Sequence, residues 1–97
     1  MTGTKPAIAI SPLSGIQYVV VWVAGTGGDP SYWKCYSKIT PSDSFTFRGN
    51  VTTASSTTYG GLEVSPDPTG RLYFAVHDGS TVTFYESHNG GETWATV

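Results

Sequence analysis

Near the C-terminal end of this 97-residue chain lies its most informative stretch, Ser87-His88-Asn89-Gly90-Gly91-Glu92-Thr93-Trp94. Asn-Gly-Gly is typical of a tight turn, because Asn and Gly tolerate the positive φ that such a turn requires. Ser87 and Asn89 can hydrogen-bond to the backbone a few residues further on, so the turn would be held by its own side chains. The stretch therefore predicts a hairpin between strands at residues 80–86 and 93–97, with Trp94 filling the apolar layer beneath the turn.

The spacing of Ser, Asn, Gly, Thr and Trp in this stretch resembles the Asp-box of sialidase-like (BNR-repeat) β-propellers, with Asn89 where that family usually has Asp. In that family the box lies on the turn between the third and fourth strands of a blade, at the periphery and away from the ligand-binding face. The resemblance therefore implies a fold and assigns no reaction. It makes the box residues structural, and these are Ser87, Asn89, Gly91, Thr93 and Trp94.

The composition indicates an all-β protein. The chain has 6 Tyr, 4 Phe, 3 Trp and 12 Gly, and only 12% of its residues are charged. Aromatic and Thr/Ser-rich segments separated by glycine turns are typical of β-strands. A chain of this length has room for one small domain with a modest core, so we expect residues 1–97 to form a single unit.

Charge, cysteine content and hydropathy exclude several classes of function. The formal net charge is −2, without the basic stripe that captures a phosphate backbone, so we expect no nucleic-acid partner. The single Cys35 cannot form an intrachain disulfide, and no Cys/His spacing indicates a metal site, so we expect no metal and no cofactor. The sequence shows no signal-peptide core and no membrane-spanning run, which predicts a soluble protein without a membrane partner, in the cytoplasm or in a virion.

The sequence contains an internal repeat of two copies. Residues 6–11, a turn and an apolar run at residues 16–24 recur as residues 61–65, a second turn and residues 71–77. The aligned positions are Ser11 with Ser65, Pro12 with Pro66, Gly15 with Gly70, Tyr18 with Tyr73, Val21 with Val76, and Trp22 with His77. A third and a fourth strand would follow in each copy, at residues 31–39 and 44–47 and at residues 80–86 and 93–97. A repeat of about fifty residues with four short strands is typical of propeller blades.

These boundaries predict two four-stranded antiparallel β-propeller blades. The first would span about residues 6–47 and the second about residues 61–97, with a Ser/Thr-rich linker at about residues 48–60 between them. The first copy keeps Ser37 at the position of Ser87 but has lost the glycine turn of the box.

The second strand of each copy predicts assembly. Residues 19–23 and 72–76 are apolar throughout, which is typical of strands covered on both faces. Two sheets alone would leave large apolar surfaces in water. We therefore expect the chain to join other copies in a head-to-tail ring, as a trimer with six blades or alternatively as a tetramer with eight.

The loops of a propeller predict where a ligand would bind. The connections after the second and fourth strands of each blade open on one face, and the resemblance implies that ligands bind there. Rings, amides, carboxylates and one arginine on this face suit a carbohydrate, because rings stack on sugars while polar groups bind the hydroxyls. The candidate ligand-binding residues are Asp29, Tyr32, Trp33, Arg48, Asn50, His77 and Asp78. For Trp33, and also for Trp22, the alternative is a place in the core between the blades.

The sequence favours a non-catalytic function. Sialidases of this fold use three arginines, a Tyr nucleophile with a Glu partner, and an aspartic acid, whereas this chain has only Arg48 and Arg71. Glu63 is the best carboxylate candidate and has no evident partner for glycoside hydrolysis, so no catalytic residue is assigned. We predict a multivalent, lectin-like carbohydrate-binding module. One alternative is a structural or interaction propeller, either virion-associated or accessory, or a fragment of a larger propeller, and a less favoured one is a sialidase-like glycosidase.

Overall fold

The computed structural model describes residues 7–11, 14–40, 42–53, 59–65, 71–77 and 80–97. Within these ranges the chain forms eight β-strands. They are β1 (Ala7–Ile10), β2 (Gln17–Val23), β3 (Tyr32–Lys38), β4 (Thr46–Thr53), β5 (Tyr59–Val64), β6 (Leu72–His77), β7 (Val82–Ser87) and β8 (Ala95–Thr96). Antiparallel pairing of consecutive strands gives two four-stranded sheets, β1-β2-β3-β4 (sheet 1) and β5-β6-β7-β8 (sheet 2). The prediction of an all-β chain with two four-stranded antiparallel sheets is confirmed.

The fourth strand of sheet 1 differs from its predicted position. β4 begins at Thr46 and runs to Thr53, so residues 48–53, which the sequence assigned to the linker, are paired with β3. Two register shifts in this pairing leave Arg48 and Val51 without a residue directly opposite. Such β-bulges bend a strand and re-aim its side chains. Propensity and periodicity do not reveal them, because the Ser/Thr-rich segment has no clear apolar alternation.

Each sheet buries one face against the other, and we call this the inner face. Alternate residues of a strand point to opposite faces. Val20, Trp33 and Cys35 of sheet 1 have no exposed surface, and the same holds for Leu72 and Phe74 of sheet 2. The rings of Trp33 and Phe74 meet across the junction with centroids 5.1 Å apart and planes tilted by 57°. The buried cluster consists of Ala7, Tyr18, Val20, Trp22, Trp33, Cys35, Val51, Leu62, Leu72 and Phe74.

The two sheets stack front to back. The β1–β2 and β5–β6 hairpins have corresponding registers, which align Gln17 with Leu72 and Tyr18 with Tyr73. Tyr18 is buried in the junction, whereas Tyr73, between the fully buried Leu72 and Phe74, points to the opposite face. Equivalent residues therefore face opposite ways relative to the junction. The chain leaves uncovered the front of one sheet and the back of the other, which we call the outer faces.

Strands β1 and β5 provide the main strand-to-strand approach between the two sheets. Among the residues that the structure describes, no helix is long and apolar enough to cross a membrane.

Candidate functional site at the loop between the second and third strands

The turn between β7 and β8 is held by side chains of the Ser-x-Asn-x-Gly-x-Thr-Trp stretch. Ser87 Oγ accepts a hydrogen bond from the Gly91 N–H at 2.9 Å and donates one to Asn89 Oδ1 at 3.0 Å. Asn89 Oδ1 also accepts the Thr93 N–H at 3.0 Å, and Asn89 Nδ2 donates to Thr93 Oγ1 at 2.7 Å. Trp94 Nε1 donates to the Gly91 carbonyl at 2.9 Å. Because these polar groups bind one another, the stretch acts as a structural turn.

The same turn supports sheet 1. Glu92 forms an ion pair with Arg48, with 3.6 Å between Glu92 Oε1 and Arg48 Nη2. The backbone of Gly49 passes so close to the Glu92 carbonyl that a β-carbon at Gly49 would collide with it. The box turn of sheet 2 is therefore part of the junction between the sheets.

A cavity of about 330 Å³ lies at the other end of sheet 1, beside the loop between β2 and β3. Its walls come from the end of β2, the loop itself and the start of β3. The lining residues are Val23, Ala24, Gly25, Thr26, Asp29, Pro30, Tyr32 and Lys34. We call this cavity the loop pocket.

The loop that forms this pocket is closed by its own hydrogen bonds. The Asp29 N–H donates to the Thr26 carbonyl at 3.0 Å, and the Gly25 N–H donates to Ser31 Oγ at 3.0 Å. Gly27 and Gly28 between them have φ of 61° and 90°, which glycine adopts at little cost. Because the loop is tied at both ends, the pocket is largely formed before any ligand arrives.

The pocket combines apolar surface with a few polar groups. Tyr32 and Val23 supply apolar surface, Asp29 supplies a carboxylate, Thr26 a hydroxyl and Lys34 an ammonium group. Binding sites for small molecules commonly have this make-up, and a volume near 300 Å³ lies at the lower end of their range. The pocket therefore suits one small polar ligand, such as a single sugar residue.

The structure brings Asp29 and Tyr32 together in this pocket. Asn50 is exposed on β4 and pairs with the pocket residue Lys34, so it lies beside the pocket on the same outer face. Trp33 is 0% exposed and packs on Phe74, so its ring is core and is not available to a ligand. This is the core alternative that the sequence left open for it.

Arg48 does not lie with the other candidate residues. It is the extra residue of a bulge between the pairs Tyr36–Phe47 and Cys35–Gly49, and its guanidinium turns to Glu92 in the box turn of sheet 2. The structure therefore places the Arg48 side chain at the junction between the sheets, away from the loop pocket. It lines instead a second cavity of about 300 Å³, together with Ser37, Lys38, Ile39, Asp43, Ser44 and Thr46.

The candidate residue His77 of the second copy lies away from the loop pocket. His77 is exposed at the end of β6. It lies an even number of residues from Tyr73 on the same strand, so its side chain points to the outer face of sheet 2 as well. It is therefore on the opposite side of the chain from the loop pocket. Asp78 lies outside the described residues.

The sequence missed Lys34 and Val23 as pocket residues. The alternation of side chains along β2 and β3 could have identified these two residues, because Val23, Tyr32 and Lys34 share one face while Trp33 points to the other. Tyr32 and Trp33 both lie where the loop enters β3, and the alternation places only Tyr32 on the pocket face.

Burial controls the two titrating groups nearest the junction. Desolvation raises the pKa of the Cys35 thiol from 9.0 to about 12, against a smaller opposing effect of Arg48. Desolvation also raises the pKa of Tyr18, helped by Cys35. Both groups are therefore neutral at physiological pH, and Cys35 is a poor nucleophile. Across the described ranges, no three His, Cys, Asp or Glu side chains come together as a metal site.

Comparison with models of known protein families finds no match for this chain, and comparisons with curated proteins and with solved structures find none either. A proposal about function therefore rests on the geometry and chemistry of its own residues.

Proposed function

We propose that this chain is a non-catalytic, lectin-like module that binds carbohydrate in the loop pocket and presents several such pockets by assembling into a head-to-tail propeller ring. The observation that carries the proposal is the pairing of Tyr32 and Asp29 in one preformed pocket of about 330 Å³. An aromatic face stacks on the apolar side of a sugar, and a carboxylate accepts hydrogen bonds from adjacent hydroxyls.

The ring would supply the affinity that a single pocket lacks. A small, open site gives weak binding, and linked copies of a weak site gain avidity without new contacts. The box resemblance and the front-to-back stacking of the sheets both support blades of a propeller, six in a trimer or eight in a tetramer. One loop pocket per chain would then give three or four equivalent sites.

A structural or interaction role is the second candidate. The observation that favours it is the set of large hydrophobic side chains on the outer faces, among them Ile8 at 64% and Phe84 at 53% exposed. Large apolar side chains exposed on a sheet face are typical of contacts with other proteins. Assembly alone would explain it without any ligand.

A glycan screen followed by calorimetry on the purified protein tests the carbohydrate proposal. We expect weak binding of at least one neutral, fucosylated or sialylated glycan, and Tyr32→Ala should weaken it about tenfold through lost area and stacking. Tyr32→Phe keeps the ring and should retain most of the affinity.

Carboxylate variants provide a matched control. Asp29→Asn should weaken binding, whereas Asp43→Asn, in the turn between β3 and β4, should leave it unchanged because Asp43 does not line the loop pocket. A screen with no binding at high protein concentration would overturn the carbohydrate proposal in favour of the structural role.

A further inference from the structure

The outer face of sheet 1 carries an apolar row across all its strands. Ile8 pairs with Val19, Val19 with Tyr36, and Tyr36 with Phe47, so the four side chains are direct cross-strand neighbours. The rings of Tyr36 and Phe47 contact edge to face with centroids 5.5 Å apart. The ends of the row project into solvent, with Ile8 64% and Phe47 49% exposed.

The outer face of sheet 2 has a different relief. Gly61, Ala75 and Phe84 form one cross-strand row, and Glu63, Tyr73, Glu86 and Ala95 form the next. Gly61 and Ala75 leave a low area on this face beside Tyr73 and Phe84, the latter 53% exposed. This low area leaves room for a protruding side chain of the outer face of sheet 1.

The two outer faces also differ in charge. Lys34 and Lys38 point outward from sheet 1, because they alternate with the buried Cys35 on β3. Glu63 and Glu86 point outward from sheet 2, on either side of Tyr73. Opposite charges on two apolar faces favour contact between those faces and disfavour contact of either face with itself.

The junction inside the chain is a template for contact between these faces. When the strand pairs of the two sheets are aligned, Val19 of sheet 1 occupies the same position as Phe74 of sheet 2. In the same alignment Val82 of sheet 2 occupies the position of Trp33 of sheet 1. The buried contact of Trp33 with Phe74 would thus recur between chains as a contact of Val82 with Val19. Front-to-back stacking leaves one face of each kind free on every chain, as a head-to-tail interface requires.

We propose that the outer face of sheet 1 docks on the outer face of sheet 2 of a second copy of this chain, with Lys34 and Lys38 set against Glu63 and Glu86. This inference rests on the head-to-tail assembly proposed above and names its contact surfaces. It is independent of which sugar, if any, the loop pocket binds.

Docking of this kind would complete the loop pocket. Val23, Tyr32 and Lys34 lie at the edge of the outer face of sheet 1, where the second and third strands meet their connecting loop. His77 lies at the corresponding end of the outer face of sheet 2. The contact would bring His77 of the partner subunit to the mouth of the pocket, so each site would be shared by two chains.

Charge reversal tests the interface. We expect Lys34→Glu with Lys38→Glu, and separately Glu63→Lys with Glu86→Lys, to lower the native mass by placing like charges opposite each other. A chain that carries all four substitutions should regain association, because every interface then joins a reversed face to its reversed counterpart, whatever the number of chains in the ring.

A cross-link gives a second readout on the otherwise unmodified protein. Val19→Cys combined with Val82→Cys places the two thiols on opposite outer faces, where they cannot join within one chain. Mild oxidation should produce disulfide-linked oligomers, whereas either single variant should yield no ladder longer than a dimer.

The outcomes separate this inference from the assembly itself. A multi-chain protein whose mass ignores both charge reversals, or a four-substitution chain that stays dissociated, would overturn the proposed faces while assembly could persist through another contact. A parent protein that is monomeric would overturn the assembly as well, and the contribution of each chain's own loop pocket to sugar binding is then tested with Tyr32→Ala and Asp29→Asn.

Discussion

Gly91 in the box turn of sheet 2 lies against Cys35 in the core of sheet 1, so closely that a β-carbon at Gly91 would be 2.5 Å from the Cys35 Sγ atom. This relationship joins the most distinctive stretch of the sequence to the most buried part of the fold. The box turn closes its own hairpin and also packs against the neighbouring sheet.

Gly91→Ala should therefore destabilise the protein by more than the backbone strain of an alanine at positive φ. Gly91 and Gly28 have nearly the same φ, 91° and 90°, but the space around a β-carbon at Gly28 is empty within 4 Å. We expect Gly28→Ala to cost about 1 kcal/mol of unfolding free energy from backbone strain, and Gly91→Ala to cost clearly more. Denaturant unfolding measures both.

A double-mutant cycle assigns the difference to the contact between the sheets. Adding Cys35→Ala to Gly91→Ala removes the colliding sulfur, so the combined loss should be smaller than the sum of the single losses by about 1 kcal/mol. Strict additivity would show that the two residues do not meet.

The box turn should tolerate Asp at position 89 but not Ala. Asn89→Asp keeps the oxygen that accepts from Ser87 and from the Thr93 N–H, and the Thr93 hydroxyl can rotate to donate. Asn89→Ala removes that acceptor from two donors and should cost about 1–3 kcal/mol. Thermal or urea unfolding of the two variants side by side measures the gap, and equal stabilities would argue against the network.

Stability should fall in alkaline solution because of Cys35. Its pKa is 9.0 as an ordinary thiol and about 12 in the folded chain, so the unfolded chain releases a proton that the folded chain retains. The stability that depends on the neutral thiol is complete below pH 9 and is lost as pH rises from 9 towards 12, at a slope approaching about 1.4 kcal/mol per pH unit.

Cys35→Ala is the control for this pH dependence. The variant starts from a lower stability because it leaves a cavity, but it lacks the titrating thiol. Urea unfolding at pH 8, 9 and 10 should show a shallower decline for Cys35→Ala than for the parent, and Tyr18 contributes to both. Parallel declines would assign the effect to other groups.

The sequence was sufficient for the parts of the fold that local patterns control. The hairpin turn at Gly90 and Gly91 and the matching registers of the β1–β2 and β5–β6 hairpins follow from turn chemistry and from the repeat. In the third strands the registers align Ser87 with Lys38 and not, as the repeat predicted, with Ser37. Strand β4 extended beyond its prediction, because its pairing with β3 depends on tertiary contacts that overcome the weak strand pattern of residues 48–53.

The candidate site was predictable only in part. Asp29 and Tyr32 lie in the loop pocket because their loop follows directly from the strand assignment. Arg48 lies apart from Asp29 and Tyr32 because a β-bulge turns it towards Glu92, and a bulge leaves no signature in a single sequence. His77 could not be placed relative to the pocket without the stacking direction of the sheets, which only the burial pattern reveals.

The native mass of the purified 97-residue chain tests most directly whether two stacked sheets with complementary outer faces require further copies of the chain. Light scattering or native mass spectrometry in dilute buffer should give three times the chain mass of 10.3 kDa, or four times in the tetrameric ring. A cooperatively folded species at the mass of one chain would contradict the account.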